Sequence, residues 1–491
     1  MKLPVEIYSA ESVRRMDRTA IEVAGIPGYT LMQRAATAAL ELARRSWPDA
    51  CRWQIVCGGG NNGGDGYVLA RLAAQQELDI RVTSLVSPDA LKGDAATAYR
   101  DFIAAGGAAA AWDGRLEAKA GLLVDAILGS GLERNIEGRF ADAIAAFGRH
   151  SAPVLALDIP SGIAGDTGEV MGCAVRANRT ITFVGLKSGL FLGDAPDFTG
   201  ELSFAGLDIP ESCRDRQLPV LRRIDDDAIR PLLAPRAHQA HKGNFGHLLL
   251  VGSGPGMAGA ILLAGEAALR TGAGRVSIAT HPVHCAAVAS RCPELMCHGV
   301  DGAKHLQELL ERADTVAIGP GLGTGQWAMG LLEIVLDSGL PVVLDADALN
   351  LLAQNPRRLE HWILTPHPGE AARLLETSSG AIQAARIDAI KRMAQRFGGT
   401  IVLKGAGTLV TSKERAPWLC TAGNPGMAAP GMGDVLTGVI GALLAQGCSL
   451  EEAAIAGVQV HARAGDRAAG AAPRGLMASD LMPALRIEVN P

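Results

Sequence analysis

Aromatic side chains are scarce in this sequence of 491 residues: Phe, Trp and Tyr make up 4% of it, although 48% of the residues are hydrophobic. The hydrophobic positions are filled mainly by small aliphatic residues, and 60 glycines accompany them. This composition favours α/β domains over a disordered chain or a β-sandwich. Because a single core rarely serves more than about 250 to 300 residues, the length predicts two domains.

Paired cysteines are missing as well. The nine cysteines are odd in number, scattered and without a CxxC pair, which excludes a secreted disulfide framework. The N-terminus lacks the apolar run of a signal peptide, and no stretch approaches the roughly 20 apolar residues of a membrane helix. A net charge of -5 gives no reason to expect nucleic-acid binding. We therefore expect a cytoplasmic protein with small-molecule partners, and with neither nucleic acid nor a membrane among them.

Short apolar runs alternate with helical stretches in two series, which predicts a parallel, doubly wound sheet in each half. The predicted strands are 53–57, 80–86, 122–128, 154–159 and 180–184 in the first series, and 247–251, 275–279, 315–318, 341–344, 362–364 and 400–403 in the second. Residues 211–246 are charged and contain prolines, so we place the boundary near 212–225 and the domains at 1–215 and 222–491. Ligands of such sheets bind beyond the carboxyl ends of the strands.

A glycine-rich segment at residues 57–66, Cys-Gly-Gly-Gly-Asn-Asn-Gly-Gly-Asp-Gly, directly follows the first predicted strand. Its residues tolerate positive φ, which predicts a loop whose N–H groups approach an anion at a helix start. A structural turn needs only one or two such residues. Asp125 lies within the third predicted strand, and Asp158 closes the fourth. A lone Asp that ends a strand is often a helix cap, but the position of Asp158 at the same sheet edge as Asp65 and Asp125 favours a ligand site.

Residues 60–66, 124–131 and 158–162 resemble the three signature segments of the NAD(P)H-hydrate epimerases, and the resemblance covers about residues 8–210. It implies a Rossmann-like, three-layer domain that binds a hydrated dinucleotide. We expect Asp158 to be a catalytic residue; substrate binding is the alternative role. A potassium ion is implied at Asn62, Asp125 and Ser161, whose oxygens suit a hard cation. By motif, the residues that would contact the substrate are Asn61, Asn62, Gly63, Gly64, Asp65, Gly129, Ser130, Gly131, Leu132, Glu133, Arg134, Asn135 and Asp158.

Two patterns in the second half look functional at first, one like a dinucleotide-binding fingerprint and one like a zinc site, but neither is complete. Residues 254–259 follow a strand as a dinucleotide fingerprint would, but the next strand ends without the carboxylate that holds the ribose, which argues against an NAD-dependent dehydrogenase. A group of His and Cys residues lacks the tight pairs of a zinc site, and much of its segment is typical of an amphipathic helix. That group is His281, His284, Cys285, Cys292, Cys297 and His298.

A Walker loop is also absent, so any nucleotide must be held in another way. The segments 319–323, 344–350, 365–370, 402–408 and 424–434 contain Gly, Asp, His, Lys and Glu, and several follow strands. Gly431 to Gly433 would present N–H groups to a transferring phosphoryl group at a helix start. Asp434 would take a proton from the attacking hydroxyl.

Together these segments resemble the ADP- or ATP-dependent NAD(P)H-hydrate dehydratases over about residues 236–482. The resemblance implies a ribokinase-like α/β fold, with ADP as co-substrate and magnesium. We also expect the protein to form a homo-oligomer. Pro430 and Met432 replace the Gly and Thr usual in the family and remove an N–H and a hydroxyl, while Asp434 is retained. The residues that would contact the adenine nucleotide are Lys404, Gly405, Ala406, Gly407, Thr408 and Gly433. Those that would face the hydrated nicotinamide are Ala260, Gly321, His367 and Asp434.

The whole chain resembles the fused bacterial enzymes that repair hydrated NADH and NADPH. The first domain would interconvert the R and S epimers, and the second would dehydrate the S form with ADP, releasing AMP and phosphate. Two alternatives remain open. The second domain could be a ribokinase-like vitamin or sugar kinase that keeps its phosphorylated product, and the first could be a dinucleotide-binding regulatory module. A kinase has no need of the first domain's motifs, which favours the repair hypothesis.

Overall fold

The computed structural model describes residues 3–412 and 415–490. The chain divides into two compact units, Met1–Leu221 and Arg222–Pro491, which we call unit 1 and unit 2. Each contains a largely parallel sheet with helices between its strands. The predicted α/β class is therefore confirmed.

The helices and strands of unit 1 alternate along the chain. The strands are β1 (Glu6–Tyr8), β2 (Arg52–Cys57), β3 (Asp79–Ser84), β4 (Ala109–Ala111), β5 (Leu122–Ala126), β6 (Val154–Leu157), β7 (Arg179–Phe183), β8 (Leu186–Lys187) and β9 (Glu201–Ala205). The helices are α1 (Ala10–Glu22), α2 (Gly28–Ser46), α3 (Asn61–Gln75), α4 (Gly93–Ala104) and α5 (Gly138–Arg149).

The main sheet of unit 1 has the order β4-β3-β2-β5-β6-β7-β9, and all its neighbours are parallel. A separate parallel pair joins β1 and β8. The strand order runs in opposite directions from β2 and from β5. This arrangement creates a crevice at the carboxyl ends of those two strands, where doubly wound sheets bind ligands.

Side chains on successive strand residues of unit 1 enter two different cores. Trp53 and Ile55 of β2 pack in one core with residues of α2, α3 and α4. Val56 of the same strand packs in the other core with residues of α5. Because a strand alternates its side chains between faces, helices cover both faces of the sheet and give the predicted three layers.

The helices and strands of unit 2 repeat this alternation. The strands are β10 (Leu221–Arg223), β11 (His247–Val251), β12 (Arg275–Thr280), β13 (Met296–Gly299), β14 (Thr315–Ile318), β15 (Val342–Leu344), β16 (Trp362–Leu364), β17 (Thr400–Leu403), β18 (Leu409–Ser412) and β19 (Trp418–Leu419). The helices are α6 (Asp226–Ile229), α7 (Ala258–Thr271), α8 (Cys285–Arg291), α9 (Ala303–Leu310), α10 (Gln326–Asp337), α11 (Ala346–Gln354), α12 (Pro368–Leu374), α13 (Ser379–Ala384), α14 (Arg386–Phe397), α15 (Met432–Ala445), α16 (Leu450–Ala469) and α17 (Leu481–Glu488).

The sheet of unit 2 runs β13-β12-β11-β14-β15-β16-β17-β18-β19, and residues 222–223 of β10 pair with β19. It is parallel from β13 to β17 and antiparallel between β17, β18 and β19. Helix α15 packs against α7 and α16, and its residues are buried from Val435 to Ala445. Only Gly433 and Asp434, near its N-terminus, are partly exposed. An apolar helix of this kind belongs inside a domain, so its polar start marks a surface.

The most accurate strand predictions fall on four strands of unit 2 that are buried along their whole length. The predictions for β11, β14, β16 and β17 are confirmed to the residue. The segment around Cys285 contains the predicted helix, but it continues into the strand β13, which was missed. In the described parts of the chain, no helix has the length and apolar character needed to cross a membrane.

Candidate functional site

A cavity of about 830 Å³ opens in unit 1 at the carboxyl ends of its central strands. Most of the residues predicted to bind substrate line it. Those that do are Asn61, Asn62, Asp65, Gly129, Ser130, Gly131, Leu132, Glu133, Arg134 and Asp158. Three others lie outside the lining: Gly63 and Gly64 are buried inside α3, and Asn135 is exposed.

The glycine-rich segment is not a loop, which corrects the conformation predicted for residues 61–66. Helix α3 begins at Asn61, and none of its glycines has a positive φ. These glycines are required by space: a Cβ on Gly63 would lie 2.1 Å from the carbonyl oxygen of Gly58, and one on Gly66 would lie 2.6 Å from the Cβ of Ala126. The absence of side chains lets α3 pack closely on the sheet, so that its first N–H groups reach the cavity.

Asp158 lies on the cavity wall in a left-handed backbone conformation, with a φ of 68°. Its carboxylate forms an ion pair with Lys187 and accepts a hydrogen bond from the Ser130 N–H at 3.2 Å. Lys187 is buried and also donates to Thr182 Oγ1 at 2.9 Å. Burial alone would raise the pKa of Asp158, but the charge of Lys187 and these hydrogen bonds outweigh it and lower that pKa. Asp158 is thus held as a carboxylate.

Two further carboxyl groups face this ion pair. Asp17 of α1 and Asp65 of α3 both line the cavity. Burial raises the pKa of Asp17 to about 6, with Lys187 opposing the shift, and raises that of Asp65 well above its usual value. The cavity therefore combines one ionised carboxylate with two that hold protons more readily. Perturbed carboxyls in a cleft are typical of proton-transfer sites.

The predicted cation ligands form a buried polar cluster beside the cavity. Ser161 donates to Asp125 through its hydroxyl at 2.6 Å and through its N–H at 2.7 Å, and its Oγ accepts from the Leu128 N–H at 2.8 Å. Both side-chain amide atoms of Asn62 are buried without a hydrogen-bond partner. A Cβ on Gly129, the residue after Leu128, would lie 3.6 Å from the Cβ of Asn62. Unpartnered buried amides are costly, so this cluster is suited to receive a ligand.

In unit 2 the side chain of Lys404 is fixed among acidic groups. Its Nζ donates to Asp345 Oδ1 at 2.6 Å and lies 3.8 Å from Glu370 Oε2. Asp345 also accepts hydrogen bonds from Thr365 Oγ1 and Thr437 Oγ1, each at 2.8 Å. Burial would lower the pKa of Lys404, but the carboxylates outweigh it and raise that pKa. This network therefore holds a permanent cation in one position.

Asp434 lies beside this network in the first turn of α15. Burial, assisted by the charge of Asp345, raises the pKa of Asp434 to about 7. A Cβ on the adjacent Gly433 would lie 3.4 Å from Lys404 Nζ. The helix is preceded by Gly431, whose φ of 87° needs a glycine. A carboxylate that titrates near neutral pH thus adjoins the free N–H groups of a helix start.

Besides Asp434, the residues predicted to face the nicotinamide lie in two places. A Cβ on Gly321 would lie 3.2 Å from the Cβ of Ala260, which belongs to α7, the helix packed along α15. His367 caps α12, and its N–H donates to Glu370 Oε2 at 2.8 Å. Burial and the charge of Lys404 lower the pKa of His367, so it is a neutral imidazole at pH 7.

Sequence reasoning missed several members of these clusters. In unit 1 it missed Asp17 and Lys187, which lie in an ordinary amphipathic helix and a two-residue strand. In unit 2, Asp345 and Glu370 belong to the segments 344–350 and 365–370, but no role was predicted for either residue. Thr437 was not singled out. A charged residue buried in an apolar run, as Lys187 is, was the one available signal.

Comparison with known proteins gives matches over both units. Residues 248–486 match a family model described as NAD(P)H-hydrate dehydratase, and residues 28–189 match the YjeF-related protein N-terminus. The chain is 47% identical over 486 residues to a bifunctional NAD(P)H-hydrate repair enzyme of Coxiella burnetii, covering 99% of both chains. It is 43% identical over 492 residues to a protein of the same description from Escherichia coli, covering 100% of this chain and 95% of that one. A solved ribokinase-like superfamily protein from Enterococcus faecalis is 30% identical and covers 55% of this chain and 97% of its own, with a TM-score of 0.52.

Proposed function

The chain belongs to the family of bifunctional NAD(P)H-hydrate repair enzymes, and on that premise we propose which residues perform each activity. It combines an epimerase for the two forms of hydrated NADH and NADPH with a dehydratase that restores NAD(P)H. We assign the epimerase to residues 1–215 and the dehydratase to residues 222–491. The observation that carries this assignment is that each unit has its own lysine–carboxylate cluster, Asp158 with Lys187 in unit 1 and Asp345 with Lys404 in unit 2.

In the epimerase, the start of α3 and residues 129–135 would hold the dinucleotide, with helix N–H groups directed at its phosphates. Asp158 would exchange protons at the ring hydroxyl, because it is kept ionised at the cavity wall. Lys187 would keep it in position. Support for these roles comes from the cavity of unit 1, which residues 129–134, Asp158 and Lys187 line together with the start of α3.

We assign a potassium ion to the cluster of Asn62, Asp125 and Ser161. The residues fit, because amide, carboxylate and hydroxyl oxygens are the donors a hard cation prefers, and the buried amide of Asn62 lacks any other partner. The bound ion would supply positive charge beside the anionic dinucleotide. The chain's own part is to fix α3 against residues 127–131, which line the cavity.

In the dehydratase, Asp434 would accept the proton of the ring hydroxyl as its oxygen attacks the terminal phosphorus of ADP. AMP leaves. The phosphate is then lost from its ring carbon together with a proton from the adjacent ring carbon, and this elimination restores the double bond. The pKa of Asp434, about 7, suits a general base at neutral pH. The N–H groups of Gly431 and Gly433 would stabilise the phosphoryl group in transfer; Pro430 has none to offer.

The adenine nucleotide would bind at residues 404–408 and Gly433, beside Lys404. Within residues 3–412 and 415–490 no group of three or more His, Cys, Asp or Glu side chains could hold a metal ion. We therefore propose that magnesium is held chiefly by the phosphates of ADP, since Mg²⁺ commonly keeps water and phosphate ligands. Ala260, Gly321 and His367 would contact the hydrated nicotinamide.

The pairing of two activities has a stereochemical reason. A chiral site that positions the hydroxyl of one epimer for phosphorylation misplaces that of the other. The epimerase lets both forms reach the dehydratase. The same proposal includes a cytoplasmic location. It also includes a homo-oligomeric state, which light scattering of the purified protein would test.

The proposed chemistry is tested by product balance. Purified protein is given hydrated NADH and ADP, and NADH, AMP and phosphate are measured together. Repair predicts equal amounts of the three. Formation of AMP with a stable phosphorylated product and no NADH would instead support a kinase.

A further inference from the structure

Arg386, the first residue of α14, is the buried centre of a set of hydrogen bonds in unit 2. The residue as a whole is only 5% exposed. Nη2 donates to the carbonyl oxygens of Leu403 at 3.2 Å and Gly407 at 3.0 Å, and both terminal nitrogens lie 3.4 Å from the carbonyl oxygen of Lys404. Nη1 also donates to Gln383 Oε1 at 2.7 Å. All of these acceptors are uncharged.

The position is unfavourable for a cation. Burial lowers the pKa of Arg386 to about 10, so the guanidinium still carries its charge at neutral pH. Buried charges are normally paired with an opposite charge, yet no carboxylate bonds to Arg386 among the residues that the structure describes. A cation at the first residue of a helix is also opposed by the helix dipole. Lys404, by contrast, has Asp345 as its partner.

The backbone that Arg386 binds is an unusual loop. Gly405 and Gly407 have φ values of 132° and 67°, a region in which other residues are strained. A Cβ on Gly405 would lie 3.1 Å from Arg386 Nη1, so the guanidinium packs directly against the loop. Three carbonyl groups of residues 403–407 therefore converge on one side chain. Removing it would take a hydrogen-bond donor away from all three carbonyl groups, which are buried or partly buried.

We propose that Arg386 is a positioning residue of the adenine-nucleotide site: it fixes residues 403–407 in the shape that receives the nucleotide, and its uncompensated charge favours an anionic ligand there. The inference rests on the proposed nucleotide contacts of residues 404–408. It extends them to a side chain that touches neither the reacting hydroxyl nor the phosphorus. Loss of Arg386 should therefore weaken nucleotide binding more than it slows the chemical step.

The test compares Arg386→Gln with Arg392→Gln in the full chain. Arg392 lies on the same helix, but its side chain is 52% exposed and has only a 3.7 Å ion pair with Asp388, so it is a matched control. For Arg386→Gln we expect the KM for ADP to rise about tenfold or more, as for the loss of charge-assisted hydrogen bonds. The KM for hydrated NADH, kcat at saturating ADP and epimerisation by unit 1 should change less than about twofold. Arg392→Gln should match wild type.

Arg386→Lys is the second variant, and it provides the comparison if Arg386→Gln does not fold. Lysine keeps the charge but cannot span several carbonyls in one plane, so its KM for ADP should lie between those of wild type and Arg386→Gln, or above wild type if measured alone. Equal KM values for ADP in wild type and the variants would overturn the inference. Equal increases in both KM values, with a loss of kcat, would show a purely structural role and overturn it as well.

Thr408→Val separates this inference from the proposed nucleotide site. Thr408 Oγ1 donates to the Gly405 carbonyl oxygen at 2.9 Å within the same loop. If Thr408→Val raises the KM for ADP and Arg386→Gln does not, only the role of Arg386 is wrong. If neither changes it, residues 404–408 are not the nucleotide site, and both proposals fail.

Discussion

Lys404 Nζ lies 2.6 Å from Asp345 Oδ1, and this ion pair adjoins Asp434, the carboxyl group at the start of α15. Unit 1 contains a comparable pair, Lys187 with Asp158, but the outcome for the catalytic carboxyl differs. Asp158 belongs to its pair, and its pKa is lowered. Asp434 stands outside the pair, so burial and the charge of Asp345 raise its pKa to about 7. The two units thus keep their proposed catalytic carboxyls in different protonation regimes.

Asp434→Asn should reduce kcat for dehydration by about two orders of magnitude or more, because a general base contributes roughly 10²- to 10⁴-fold. The KM for ADP should change little, since the proposed nucleotide contacts remain. Steady-state kinetics provide the measurement, with the S form as substrate, which we call the accepted epimer because the dehydratase is proposed to act on it. Epimerisation by the same chain is the internal control. Turnover close to wild type would show that Asp434 is not the base.

The pH dependence of dehydration should follow the ionisation of Asp434. Only the carboxylate accepts a proton, so kcat should rise as pH increases through about 7 and then level off. Glu370, whose pKa burial also raises to about 7, faces Lys404 and titrates in the same range. Asp434→Asn therefore serves as the control, and its residual rate should lose most of this rise. The informative range is about pH 6 to 8, roughly one unit on either side of that pKa. A wild-type profile that is flat over this range would contradict the assignment.

Asp158→Asn should slow clearance of the epimer that the dehydratase does not accept, while the accepted epimer is repaired at the wild-type rate. Lys187→Met should have the same effect, because it removes the partner that keeps Asp158 ionised. The measurement is chromatographic separation of both epimers over a short time, since they also interconvert spontaneously. If Asp158→Asn clears both epimers like wild type, unit 1 acts as a binding module and Asp158 is only a strand-end cap. If only Lys187→Met does so, the supporting role of Lys187 is wrong.

Potassium should be needed for the first site alone. Replacing it with a bulky organic cation, or making Asp125→Ala, should weaken epimerisation and leave dehydration of the accepted epimer intact. The reason is that Asp125 and the unpartnered amide of Asn62 lie beside the cavity of unit 1. Rates of both reactions are compared in matched buffers. Equal epimerisation in the presence and absence of potassium would refute the proposed site.

The sequence was most informative where one local pattern determines a structure. The strands β11 and β14 were predicted to the residue because apolar runs buried on both faces are distinctive. Strand β13, Met296–Gly299, was missed because it lies at the sheet edge and mixes Met, Cys and His. Residues 61–66 were placed correctly at the strand end, but their glycines could not reveal a helix, since the need for them arises from packing against Gly58 and Ala126.

Residues joined only by the fold were beyond a single sequence. Lys187 meets Asp158 across 29 positions, and Asp17 reaches the same cavity from a helix near the N-terminus. Arg386 stands in no motif, and its hydrogen bonds to residues 403–407 depend on how α14 packs beside β17. Such contacts need the positions of several elements at once, which local periodicity does not specify.

The central claim, that one chain contains two separate active sites that act in sequence, is tested most directly by mixing two variants. Asp158→Asn alone should leave the unaccepted epimer, and Asp434→Asn alone should restore almost no NADH. A mixture of the two purified proteins, with hydrated NADH and ADP, should recover NADH from both epimers, because each variant supplies the site that the other lacks. Reduced-nicotinamide absorbance follows the reaction. A mixture that clears the unaccepted epimer no faster than Asp158→Asn alone would contradict the account.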